Sequence, residues 1–103
     1  MDTKAKILDI AMNLNRVGNW AADDYIGKKE RIKTFLNNTT GYVQSLDFSS
    51  FSPSFARTFA DFRKEYPLLK KEGLRGPSDT LYWAENMMTW GNILTHRAKL
   101  LNS

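Results

Sequence analysis

The apolar positions of this chain repeat with the period of an α-helix over four separate stretches, with polar, glycine- and proline-bearing segments between them. At 100° per residue, the first stretch covers about residues 3–22. Ile7, Ile10, Ala11, Leu14, Val17, Gly18 and Ala21 fall in one arc, while Asp9, Asn13, Asn15, Arg16 and Asn19 fall outside it. Met12 and Trp20 also lie off the apolar stripe.

The second stretch covers about residues 24–46, with Tyr25, Ile32, Phe35, Leu36, Thr39, Tyr42, Val43 and Leu46 on a shared face. Asp23 or Asp24 is placed to cap it. Its interior holds Asn37 to Gly41, "NNTTG", a run of weak helix formers. The apolar phase is the same before and after that run, so the expectation is one continuous helix. Gly27, Thr34 and Gly41 recur every seven residues on the opposite side. A glycine exposed on a helix costs about 0.5–1 kcal/mol relative to alanine. This spacing reads as tolerated weakness, as a break at "NNTTG", or as a second close helix contact.

Ser52 followed by Pro53 has the form of an N-cap and a first helical residue. Phe55, Phe59, Phe62 and Tyr66 follow at steps of four, three and four, the cleanest apolar stripe in the chain. Pro67 lacks an N–H and disfavours helical geometry at Tyr66, so it is expected to end or kink this helix. The residues from Leu68 to Lys71 add one more turn, giving a helix over 53–71. Glu72 to Pro77 reads as a loop from its two glycines and proline. Ser78 is then expected to cap a fourth helix over 78–101, with Asp79 in its first turn. Nothing alternates with the period of a strand. The expectation is an all-α single domain over residues 1–103, a four-helix bundle of antiparallel neighbours.

On the fourth helix, Trp83, Met87, Trp90, Gly91, Leu94, Ala98 and Leu101 form the core arc, widened by Ala84 and Met88. Ala84, Gly91 and Ala98 recur every seven residues, a narrow strip that lets a neighbouring helix approach. His96 falls among Glu85, Thr89, Asn92 and Lys99 on the polar side. A thinner apolar strip of Tyr82, Ile93 and Leu100 is separated from the core arc by Asn86 and Arg97. That strip either meets another helix of the bundle or forms a partner or self-association surface. As a surface it comprises Tyr82, Ile93 and Leu100, with Trp90, Arg97 and Trp20 at its edge, since Trp, Tyr and Arg often dominate interface energy.

Composition narrows the function classes. The chain has 103 residues, 42% of them hydrophobic and 13% aromatic, which suits one folded core rather than disorder. There is no cysteine, which removes disulfides and thiolate chemistry and fits a reducing compartment. No apolar run reaches the roughly 20 residues that span a bilayer, and the amphipathic N-terminus does not resemble a signal peptide. A cytoplasmic location with no membrane partner follows as an expectation.

One histidine cannot supply the usual di-iron or zinc set, and nothing marks a nucleophile beside His96 for a Ser-His-Asp hydrolase, so no cofactor, metal or catalytic residue is assigned. Met12 and His96 superficially match the axial ligands of some bundle cytochromes, but both lie off the core stripe. Asp23, Asp24 and Glu30 are explained better by capping and solvation than by catalysis.

The net charge is +4 and the pI about 9.5. Two basic runs, Lys28 to Lys33 and Arg63 to Arg75, make nucleic-acid binding through Lys28, Lys29, Lys70 and Lys71 the leading alternative. A ligand pocket lined by Trp83, Met87 and the phenylalanine stripe is a third reading. The main expectation is a small non-enzymatic helical interaction or regulatory module that binds a protein partner or itself.

Overall fold

The computed structural model describes residues 2–102, the side chain of Asn102 aside. Among the described residues the chain forms α1 (Thr3–Asp24), α2 (Lys29–Gln44), α3 (Pro53–Arg75) and α4 (Thr80–Arg97). Two 3₁₀ turns, Phe48–Ser50 and Ala98–Asn102, complete it. No strand occurs among these residues, and the molecule measures 41 × 22 × 19 Å. Each helix packs against the next in sequence, and α4 returns to α1, as in an antiparallel four-helix bundle.

Residue size sets the spacing within the bundle. The α1–α4 pair is the most closely packed, and its seam is built from small residues. A Cβ on Gly18 would overlap the Met88 side chain and come 2.9 Å from the Ala84 carbonyl oxygen. One on Gly91 would lie 2.7 Å from the Asn15 amide. Earlier positions of α1 thus face later positions of α4, which fixes the antiparallel sense. The seven-residue strip of Ala84, Gly91 and Ala98 is fully buried there. Opposite it, α3 presents Phe55, Phe59, Phe62 and Tyr66, all buried, whose rings stack along the helix with centroids 5.3–5.7 Å apart. Burying each such ring contributes on the order of 2–3 kcal/mol.

Aromatic polar groups fasten α3 to its neighbours. The Trp83 indole N–H donates to the Leu69 carbonyl at 2.9 Å, and the Tyr66 hydroxyl donates to the Leu36 carbonyl at 2.7 Å. The Tyr25 hydroxyl donates to the Gly73 carbonyl at 2.6 Å. That carbonyl lies in the last turn of α3, where helix carbonyls lack an intrahelical donor, so Tyr25 acts as a side-chain cap from the α1–α2 turn. Among the described residues no buried side-chain nitrogen or oxygen lacks a partner.

Six sequence expectations are corrected. Asp23 and Asp24 do not cap α2: α1 runs to Asp24, whose carboxylate accepts from the Gly27 N–H at 3.0 Å and closes the turn. The N-cap of α2 is Lys28, without a side-chain bond, and Tyr25 belongs to the turn rather than to α2. Pro67 does not end α3, which continues to Arg75. Its ring lies on the solvent side, and Tyr66, Leu69 and Gly73 hold the buried face on both sides of it. The expected Glu72–Pro77 loop is therefore largely helix; only Gly76 takes a left-handed φ of 102°. Ser78 is not the cap of α4: Asp79 is, accepting from the Tyr82 N–H at 3.0 Å. Finally, Asn13, read as outside the apolar arc, is buried at 7% exposure. α2 is continuous through Asn37 to Gly41, and Thr39 and Thr40 return their hydroxyls to the carbonyls of Phe35 and Leu36.

Candidate partner-docking groove

The backbones of α2 and α3 make few close approaches, and a groove of about 490 Å³ opens between the two helices. Val43, Pro67 and Leu74 supply apolar surface, and the buried Tyr66 lies at its floor. Thr40 and Gln44 add polar groups, and Arg63, Lys70 and Lys71 add three cations; no carboxylate lines it. The groove depends on α3 continuing through Pro67. Arg63, Pro67, Lys70 or Lys71, and Leu74 share a face only if the helical register is unbroken across the proline.

Two of the cations are held in place. The Lys70 ammonium donates to the Thr40 hydroxyl at 2.7 Å, bridging the two helices. The Arg63 guanidinium lies 4.3 Å from the centroid of the Phe48 ring, a cation–π contact with the 3₁₀ turn that joins α2 to α3. On α2, Lys29, Lys33, Leu36, Thr40 and Val43 follow at steps of four, three, four and three, so Lys29 and Lys33 extend the same side towards the start of the helix. Residues 29–75 carry nine Lys and Arg against five Asp and Glu, whereas the rest of the chain carries six of each. The whole formal charge of +4 thus resides on the α2–α3 half.

A second groove of about 750 Å³ runs between α1 and α2, lined by Asp9, Met12, Asn13, Arg16, Phe35, Asn37, Asn38, Gly41 and Tyr42. It carries charges of both signs and several amides. Gly41 opens onto free space, with no atom within 4 Å of where a Cβ would stand, so its side of α2 has no close helix neighbour within this molecule.

The residues singled out from sequence are distributed over several places. On α4, Tyr82 is 62% exposed beside Leu81 at 61%, while Ile93 and Leu100 are half-buried and Arg97 is exposed. Trp90 packs between α3 and α4, its ring 5.4 Å from Phe62 and its indole N–H donating to Glu65 at 3.3 Å. Trp20 sits between α1 and α2, edge-on to Phe35 at 4.9 Å with the Arg31 guanidinium above it at 5.2 Å. The two tryptophans therefore do not share a patch.

Lys28 pairs with Asp23, which holds that carboxyl below its usual range, whereas Lys29 is exposed and Lys70 and Lys71 enter the groove. His96 is exposed. Trp83 and Met87 are packed into the core, and the two grooves lie elsewhere. Among the described residues no group of three or more His, Cys, Asp or Glu side chains is placed to hold a metal ion. No helix among them is long and apolar enough to cross a membrane. Sequence reasoning missed Arg63, Thr40, Val43, Pro67 and Leu74 as a set, because a helix ended or kinked at Pro67 and closed at Lys71 does not bring Leu74 onto the line of Arg63. No family model matches the chain, and no curated protein and no solved structure matches it.

Proposed function

We propose that this protein is a non-enzymatic helical interaction module, acting in the cytoplasm, that docks a protein partner on its α2–α3 face. The observation that carries this reading is the groove between those helices, with apolar surface, three cations and no carboxylate, on the half of the molecule that holds all of its net charge. Aligned charge of one sign steers an oppositely charged partner, and apolar surface beneath it supplies contact area. Two of the three carboxylates weighed as catalysts support the non-enzymatic part. Asp23 is engaged with Lys28, and Asp24 with the backbone of its own turn.

The test is a photo-crosslinking residue placed in turn at Val43, Leu74, Tyr82 and Ile93 in cells that make the protein. Val43 and Leu74 are expected to label one recurrent protein, and Lys70→Glu with Lys71→Glu is expected to abolish that labelling. Labelling from Tyr82 and Ile93 alone overturns the assignment to this face, and recovery of RNA or DNA transfers it to the nucleic-acid alternative.

The exposed pair Leu81 and Tyr82 favours a second surface, self-association along α4 with Ile93 and Leu100 at its flank. Light scattering at micromolar concentration is expected to show a dimer that Ile93→Glu converts to monomer. A monomeric unmodified protein removes this second reading.

A further inference from the structure

Resting on the reading of the α2–α3 face as a docking surface, we infer that its occupant is an amphipathic helix of a partner protein, with an apolar stripe flanked by carboxylates. The groove volume of about 490 Å³ and its apolar residues Val43, Pro67 and Leu74 suit a row of apolar side chains. Leu74 and Pro67 are exposed on α3. From Lys33 to Gln44 the α2 side extends about 16 Å at 1.5 Å per residue. Three helical turns are the span over which a ligand helix presents anchors at i, i+3 or i+4, and i+7.

Cations stand on both helices around this surface: Arg63, Lys70 and Lys71 on α3, and Lys29 and Lys33 on α2. A single anionic head would engage one end. Cations spaced from Arg63 to Lys71 match carboxylates spaced along a helix. Lys70 is already fixed by Thr40 and Arg63 by Phe48, which lowers the ordering cost of binding.

Other occupants fit less well. Nucleic acid bound without base pairing uses exposed aromatic faces for stacking, and the aromatic lining this groove, Tyr66, is 4% exposed with its hydroxyl turned inward to the Leu36 carbonyl. Lys28, expected to join a phosphate-binding set, is paired with Asp23. A second copy of the chain brings the same excess of positive charge to the interface in a two-fold arrangement.

The experiment uses the full chain and fluorescence anisotropy with four labelled probes. They are a four-turn helical peptide with a leucine stripe flanked by glutamates, its twin with lysines for the glutamates, a scrambled peptide of the acidic composition without the stripe, and poly(U). The acidic amphipathic peptide is expected to bind, to weaken as salt is raised, and to lose about tenfold or more in affinity with Lys70→Glu and Lys71→Glu. Val43→Glu is expected to weaken it further, and circular dichroism of each variant verifies that the bundle is folded.

Equal binding by the scrambled peptide, preferential binding of poly(U), or no binding by the acidic peptide overturns the inference. Binding by the lysine twin that Val43→Glu abolishes overturns the acidic character while leaving the face as a docking surface. Crosslinking from α4 alone, as described above, is the separate result that removes the face itself.

Discussion

Two glycines show how one residue type carries opposite consequences. Gly41 lies in α2 with ordinary helical φ and open space where a Cβ would go, so nothing in the structure requires glycine there. Gly41→Ala is expected to stabilise the protein by about 0.5–1 kcal/mol and to raise Tm by a few degrees. Gly73 lies in α3 against the face of Trp83, and an added Cβ would overlap the indole ring. That ring is buried and tied to the Leu69 carbonyl, so it cannot swing aside as the end of a lysine would. Gly73→Ala is therefore expected to destabilise by about 1–3 kcal/mol, despite its better helix propensity. Thermal denaturation of the two variants should move in opposite directions; a stabilised Gly73→Ala would mean that Trp83 relocates freely.

Tyr66 carries a pH signature at the same scale. Burial pushes its hydroxyl up to about 12, with hydrogen bonding to Thr40 and Thr39 acting in the other direction. The neutral phenol is the form the fold favours. Its contribution is therefore complete below the ordinary tyrosine value of about 10 and is lost as pH rises through about 12, by roughly 3 kcal/mol in all. Tyr66→Phe loses the bond to the Leu36 carbonyl, at about 1 kcal/mol, but has no phenol to ionise. Denaturant titrations at increasing pH should show the wild-type advantage shrinking and then reversing across that window. A constant difference would show that Tyr66 does not titrate with unfolding.

At the scale of elements, Pro67 decided how much of the molecule was legible. The four helices, the Phe55 to Tyr66 stripe, the Ser52–Pro53 start and the small-residue seam all followed from periodicity and capping chemistry, because each is a local pattern with one geometric solution. The failures lie where tertiary packing outweighs a local rule. The proline removes one hydrogen bond and crowds its preceding turn, at a cost of about 3 kcal/mol in a helix interior. Against that, the last turns of α3 bury Leu69 and Gly73 and receive bonds from Trp83 and Tyr25, gains that exist only in the folded bundle. The same override turned Glu72 to Arg75 of the expected loop into helix and hid the groove, since its lining aligns only across Pro67. Pro67→Ala is expected to restore the missing bond and stabilise by about 1–3 kcal/mol, measured by chemical denaturation. A loss of stability would mean that α3 is shaped around a kink that the rest of the bundle requires.

Across the whole molecule, charge and packing divide along the same line. The tight seam joins α1 to α4, the first helix to the last, and that half of the chain is electrically balanced; α2 and α3 are more loosely spaced and hold the net charge of +4. Such a molecule presents a positive face to any anionic surface, and its retention there should depend on where a charge is changed as well as on how many are changed. Lys70→Glu with Lys71→Glu and Arg97→Glu with Lys99→Glu alter net charge equally, and all four residues belong to helices or turns whose caps they do not form. On a sulfonate cation exchanger at neutral pH, the first pair is expected to elute at clearly lower salt than the second, because it removes two cations from the face that meets the resin. Equal elution would mean that the field is averaged over the surface. The α2–α3 face would then have no electrostatic advantage in capturing an acidic partner, and its apolar surface would have to supply the selectivity.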